Sequence, residues 1–128
     1  LSTIIKEKTN YSILSDETII IRLVNGEWKI YGTPWKGSGA EFYQNDSATL
    51  KKIIFIKHGL INSLERISNA ESTKQILMQS FPFFWDKKNT LKVFSLIQEL
   101  LKSTEVYEMA FLPDKSIIPL IDELVNCE

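Results

Sequence analysis

The chain is short of several things, and each shortage removes a class of protein. Its one cysteine, Cys127, is next to the last residue, so no internal disulfide can form. Its one histidine, His58, leaves no Cys/His cluster with metal-ligand spacing. Charge of either sign is lacking in net terms: 15 Lys and Arg against 16 Asp and Glu leave −1. Such a balance makes no field that would gather nucleic acid or an anionic lipid surface, so neither nucleic acid nor membrane is expected as a partner. Apolar runs no longer than Ile53-Ile54-Phe55-Ile56 fall far short of the roughly 20 residues that span a bilayer. No signal-peptide pattern is visible, and a reducing, cytoplasmic setting is the expectation. Position 1 is Leu rather than Met, which reads as a fragment, a processed product or a trimmed chain.

What is present suits a folded protein. A length of 128 residues, 44% hydrophobic with 11% aromatics, is enough for one domain with a sizeable core. Residues 1–9 read as the end of a helix, with Ile4 and Ile5 as a partial apolar stripe and Asn10 as the stop. Ser12 to Ser15 reads as a short buried strand ending at Asp16. Residues 18–31 read as a hairpin: Ile and Val fill Ile19 to Val24, Asn25-Gly26 is a two-residue turn signal, and Glu27 to Tyr31 alternates. Three glycines and a proline between Gly32 and Gly39 predict a loop. Short strands are expected over Ala40 to Tyr43, Leu50 to Lys57 and Ser63 to Ile67. Ser68 with Glu71 forms a capping-box pattern for a helix ending near Phe81-Pro82. Leu91 to Lys102 carries a helical stripe of Leu91, Phe94, Ile97, Leu100 and Leu101. Val106 to Phe111 alternates as a strand, Pro113-Asp114 turns, and Ile117 to Val125 closes as an amphipathic helix. The class is mixed α and β, strand-rich first and helix-rich later.

Few residues carry a chemical signal of their own. A strand ending in acids is a common way to hold a nucleotide-bound magnesium ion, which takes one or two carboxylates beside the phosphates. Asp16 and Glu17 are adjacent, so they share a site only where the strand bends or ends. Read alone, they are a solvated turn between two strands. In Gly32-Thr33-Pro34-Trp35-Lys36-Gly37, Pro34 fixes its own φ and biases Thr33 toward extended backbone. An exposed Trp35-Lys36 pair could stack a base and meet a phosphate; the alternative is a rigid connection with Trp35 at the edge of the core. His58 lacks a nucleophile and an orienting acid at any recognisable spacing and reads as a turn residue. Phe81, Phe83, Phe84 and Trp85 read as a helix-to-helix connection or as a partner-docking patch. Cys127 has no basic neighbour and is not read as a nucleophile.

Leu14-Ser15-Asp16-Glu17, a hairpin, then Tyr31-Gly32-Thr33-Pro34-Trp35 and Gly37 is similar to bacterial proteins related to HPr kinase/phosphorylase and phosphoenolpyruvate carboxykinase. The likeness continues through Phe55-Ile56-Lys57-His58-Gly59 to the run Val106-Tyr107-Glu108-Met109-Ala110-Phe111-Leu112-Pro113-Asp114, and covers about residues 11 to 125. The resemblance implies an α/β carboxykinase-type P-loop fold with a mixed sheet, of which this chain would be the C-terminal part. It implies ATP and Mg2+ as cofactors of the intact protein and transfer of a phosphoryl group to a serine-type hydroxyl on a small protein or peptide. Asp16 and Glu17 would serve the metal and the acceptor proton, and Gly32, Thr33, Pro34, Trp35 and Lys36 would shape the nucleotide or acceptor pocket. Glu17 stands where an Asp is usual in the family. Relatives often assemble, so a homo-oligomer is a further expectation. No Gly-x-x-x-x-Gly-Lys occurs anywhere in the chain. Without that loop the backbone N–H cradle and the phosphate-binding lysine are missing, so this chain is expected to bind nucleotide poorly and not to turn it over. The alternative is a non-catalytic protein- or peptide-binding module derived from the fold, with the 81–85 aromatics as its surface.

Overall fold

The structure, a computed structural model, describes residues 1–35, 44–82 and 84–126. The elements are α1 (Ser2–Lys8), β1 (Ile19–Val24), β2 (Glu27–Gly32), β3 (Ser47–Thr49), β4 (Lys52–His58), β5 (Ser63–Arg66), α2 (Asn69–Gln79), α3 (Lys87–Leu100), β6 (Glu105–Phe111) and α4 (Ile118–Asn126), the last entered through a 3-10 turn at Lys115–Ile117. The protein is therefore mixed α and β, strand-rich first and helix-rich later. No helix of the described residues is long and apolar enough to cross a membrane. The strands form two three-stranded sheets, β1-β2-β3 and β4-β6-β5, where one mixed sheet was expected. The difference turns on β3. Its three residues, Ser-Ala-Thr, lack apolar alternation, yet they pair with β2 and complete a sheet without β4.

The chain divides into two compact units. The first comprises Leu1–Leu50, His58–Asn62 and Phe111–Glu128. Its centre is the β1–β2 hairpin, antiparallel from Ile19 opposite Gly32 to Val24 opposite Glu27. Asn25 (φ 52°) and Gly26 (φ 83°) both take positive φ, as a type I′ turn requires, and this turn matches the twist of the strands it joins. Trp28, Phe111, Ile117 and Leu124 are the buried apolar residues of this unit. Ile19, Ile20 and Leu23 of β1 stay 42–48% exposed. Three long-range bonds tie its segments. The Tyr11 hydroxyl donates to Asp122 Oδ1 at 2.8 Å. Asn62 accepts from the Leu112 N–H at 2.8 Å and donates to Ser116 Oγ at 2.8 Å.

Residues 12–15 do not form the expected strand. Ser15 makes an isolated bridge, Ser12 is exposed, and the chain bends at Asp16 and Glu17. The Ser15 hydroxyl accepts the Glu17 N–H at 3.3 Å, a local turn that competes with strand pairing. The expected strand at 40–43 lies outside the described residues.

The second unit comprises Lys51–Lys57 and Ser63–Ala110. Ile97, Leu101 and Val106 are its buried cluster, packed against Ile53, Phe55, Ile67, Ile76, Leu77 and Val93. Ser68 caps α2 as expected, its hydroxyl accepting the Glu71 N–H at 3.3 Å. Helix α3 starts four residues before the apolar stripe does. Asp86 sets that start, accepting from the Lys88 and Asn89 N–H groups at 3.0 and 3.2 Å. Within this well-packed unit the Thr104 hydroxyl is buried with no hydrogen-bond partner among the described residues.

Two consequences are measurable by urea denaturation. Thr104→Val removes an unsatisfied buried hydroxyl at nearly constant shape and should raise stability by about 1 kcal/mol. An unchanged or lower midpoint would show that the hydroxyl is satisfied in solution. Gly32→Ala should be far worse than Gly26→Ala. A Cβ at Gly32 would lie 2.0 Å from the Gln44 carbonyl oxygen and 2.7 Å from that of Leu14, whereas a Cβ at Gly26 meets nothing within 4 Å. We expect losses of about 3 kcal/mol for Gly32→Ala and about 1 kcal/mol for Gly26→Ala, the latter from left-handed backbone alone.

Candidate functional site

The acidic bend and the Gly-Thr-Pro-Trp loop meet at the open end of the β1–β2 hairpin. Antiparallel register brings Ile19 opposite Gly32, so Thr18 and Thr33 flank the last pair. The Thr33 hydroxyl donates to the Thr18 carbonyl at 2.5 Å, and Thr33 is buried. Residues 44–46 cross the same place. The Gln44 N–H donates to the Leu14 carbonyl at 2.8 Å and the Gly32 N–H to the Asp46 carbonyl at 3.0 Å. Gly32 is thus required by close backbone approach on two sides, not by an unusual φ.

Around this crossing Asp16 is half-buried, Glu17 exposed, Pro34 exposed, and Trp35 59% exposed. The indole of Trp35 is therefore available to a ligand rather than filling the core edge. Lys36, with Gly37 and Gly39, lies outside the described residues. The donors that the bend offers are carboxylate and hydroxyl oxygens, the chemistry of a hard divalent cation. No group of three or more His, Cys, Asp or Glu suited to a metal occurs among the described residues. A magnesium ion that brings its own phosphate oxygens needs only one or two carboxylates, and Asp16 with Glu17 fits that demand in kind.

His58 ends β4 exposed, its ring 5.1 Å from that of Phe111 and tilted by 33°. That contact is a packing role. Sequence reasoning missed a polar cluster on the second sheet. Lys57 pairs with Glu108, which also accepts from the Gln75 side chain. The ammonium beside it holds the Glu108 carboxyl below the usual range, and the carboxylate in turn holds the Lys57 amine above its own. Nothing local in the sequence announces a pair 51 residues apart.

A second feature lies on α2 and the stretch that follows it. Ala70, Thr73, Lys74, Leu77, Met78 and Phe84 line an open depression of about 420 Å³. The first five fall at helical spacing i, i+3, i+4, i+7 and i+8 on α2. Gln98 of α3 donates to the Thr73 hydroxyl at 2.9 Å, which brings that face of α3 beside α2. Met78 is 73% exposed, Phe81 86%, Phe84 70% and Trp85 84%. The aromatic stretch is therefore a surface, and only Phe83 lies outside the described residues.

The chain matches no family model, no curated protein and no solved structure.

The Lys57–Glu108 pair carries a pH signature. Stability from a carboxyl with a lowered folded-state pKa is complete above the ordinary value of 4.5 and is lost as pH falls through the lowered one. Stability from an amine with a raised pKa is complete below 10.5 and is lost as pH rises through the raised value. Thermal melts of Glu108→Gln should lie below those of the unmodified protein at pH 7, with the gap closing toward pH 3. A gap that stays constant with pH would exclude the pair as its cause.

Proposed function

We propose that this chain is part of an HPr-kinase-like protein of the carboxykinase P-loop type, whose intact form transfers a phosphoryl group from ATP to a hydroxyl on a small protein or peptide. The observation that supports the reading is the meeting, at one end of the hairpin, of Ser15-Asp16-Glu17 with Gly32-Thr33-Pro34-Trp35. The hairpin register brings the two segments to one end of the first sheet, where Asp16 is half-buried and Glu17 and Trp35 are exposed.

In this reading Asp16 accepts the proton of the acceptor hydroxyl or holds the metal, and Glu17 assists in whichever role Asp16 does not fill. Thr33 positions the loop through its bond to Thr18. Trp35 and Lys36 border the nucleotide or acceptor. Magnesium, when bound with a nucleotide, supplies charge neutralisation to the phosphates. These 128 residues contain no Gly-x-x-x-x-Gly-Lys run, so they hold no phosphate cradle of their own and do not fit ATP unaided.

The test has two readouts. In the 15N-labelled chain, Mn2+ should broaden the amides of residues 15–18 and 32–35 first, and Asp16→Asn should remove that preference. In the product of the native gene supplied with Mg-ATP, Asp16→Asn should lower kcat by roughly 10²–10⁴-fold. Broadening spread evenly over all surface carboxylates, or unaltered turnover, would end the proposal.

A second reading, a non-catalytic protein- or peptide-binding module, is favoured by the exposure of Met78, Phe81 and Phe84 beside an open depression. Apolar side chains gathered on a surface mark contact sites more often than solitary ones do.

A further inference from the structure

We propose that Asn25 is a site of spontaneous modification: the Asn25-Gly26 turn cyclises, loses ammonia and hydrolyses to isoaspartate, which releases the register of the β1–β2 hairpin. The inference rests on the turn alone and is independent of both functional readings.

The chain has seven asparagines, and only Asn25 precedes a glycine. That order matters because the attacking atom is the main-chain nitrogen of the following residue. A Cβ on that residue crowds the approach, and glycine has none. The space around the turn is open as well. Asn25, Gly26 and Glu27 are exposed, and a Cβ built at Gly26 would meet nothing within 4 Å. No hydrogen bond among the described residues engages the Gly26 N–H or the Asn25 side chain. Two other asparagines show the contrast. Asn62 accepts from the Leu112 N–H and donates to Ser116 Oγ, both at 2.8 Å. Asn89 donates to Asp86 Oδ2 at 2.6 Å, and the nitrogen that would attack it, that of Thr90, donates to the Asp86 carbonyl at 2.9 Å.

The reaction needs only water and a base. Base removes the Gly26 amide proton, and the nitrogen attacks Asn25 Cγ. An N–C bond forms, the Cγ–NH2 bond breaks, and ammonia leaves after taking a proton from water. A second water then opens the five-membered succinimide. Opening at Cγ gives an ordinary aspartate. Opening at the main-chain carbonyl carbon of residue 25 leaves the chain running through Cγ, which is isoaspartate. Either product adds one carboxylate to a chain of net charge −1, and nothing is oxidised or reduced.

The two products differ in what they do to the fold. Asn25 (φ 52°) and Gly26 (φ 83°) form a two-residue turn, and Val24 faces Glu27 directly across it. In a hairpin the turn type and the loop length set the register. Aspartate keeps both. Isoaspartate adds one atom to the main chain inside the turn, so Val24 and Glu27 no longer meet in the same geometry. The pairs behind them run from Leu23 with Trp28 to Ile19 with Gly32 and depend on that closure. Trp28 is 8% exposed, against 59% for Trp35 and 84% for Trp85, so a loosened turn shows in one indole.

The test is timed incubation of the full chain at 37 °C followed by tryptic mapping. Cleavage after Arg22 and Lys29 isolates Leu23 to Lys29, in which conversion adds about 1 Da. Labelling by isoaspartyl methyltransferase separates isoaspartate from aspartate. We expect Asn25 to convert at least about tenfold faster than any other asparagine, with a rate that rises about tenfold from pH 7 to pH 8 because base must take the amide proton. The isoaspartyl fraction, isolated by ion exchange, should melt about 4 °C or more below fresh protein and show red-shifted tryptophan emission. Asn25→Gly keeps a turn that accepts positive φ but has no Cγ, so it should stay unmodified. Asn25→Asp supplies the charge without the added atom and should melt with fresh protein. Asn25 left intact while the free Leu23–Lys29 peptide converts would show that the closed hairpin shields the turn and would overturn the proposal. An isoaspartyl fraction that melts with fresh protein, or an equal loss in Asn25→Asp, would overturn the effect on register.

Discussion

At Gly32 three backbone segments pass within contact of one another, and the geometry of the hairpin end follows from that crowding. Leu14, Gln44 and Gly32 can approach so closely because the middle residue has no side chain. The exchange of hydrogen bonds there fixes where the acidic bend ends and where β3 begins. The Thr33–Thr18 bond then closes the hairpin beside it. A single missing Cβ therefore links the local turn at Ser15, the register of the first sheet and the neighbourhood of Asp16 to Trp35. Chemistry proposed for that surface inherits its precision from a packing constraint rather than from any catalytic group.

Elements governed by nearest neighbours were legible in the sequence. Asn25-Gly26 specifies its turn because both residues tolerate positive φ, and the hairpin followed. Ser68 ahead of Glu71 announced α2, and the stripe from Leu91 to Leu101 announced α3. Gly32 was read as the start of a loop, but it ends β2 and is required by close approach, which leaves no mark on a dihedral preference. The start of α3 was missed because its cap, Asp86, precedes a polar first turn, Lys87-Lys88-Asn89, that adds nothing to the apolar period.

What escaped the sequence was decided by partners far along the chain. β3 has no strand-like composition and exists because β2 offers it an edge. Residues 12–15 look apolar enough for a strand, yet the Ser15 hydroxyl takes the Glu17 N–H and bends the chain first. The pairing of Lys57 with Glu108, and of Asn62 with Leu112 and Ser116, joins residues whose neighbours give no hint of each other. The candidate site was legible as two motifs at the ends of an expected hairpin; the crossing of residues 44–46 beside them was not.

The first unit is assembled from three stretches of chain, the last beginning at Phe111. Its bond from Tyr11 to Asp122 closes a loop of 111 residues, and Asn62 waits for Leu112 and Ser116. The second unit needs nothing beyond Ala110. During synthesis the second unit can therefore consolidate while the first still lacks the last of its three stretches. Non-local closure of this kind is slow, because chain entropy must be lost before contacts repay it. A nascent chain consequently passes through a stage in which the second unit has all its residues and the first has not yet closed.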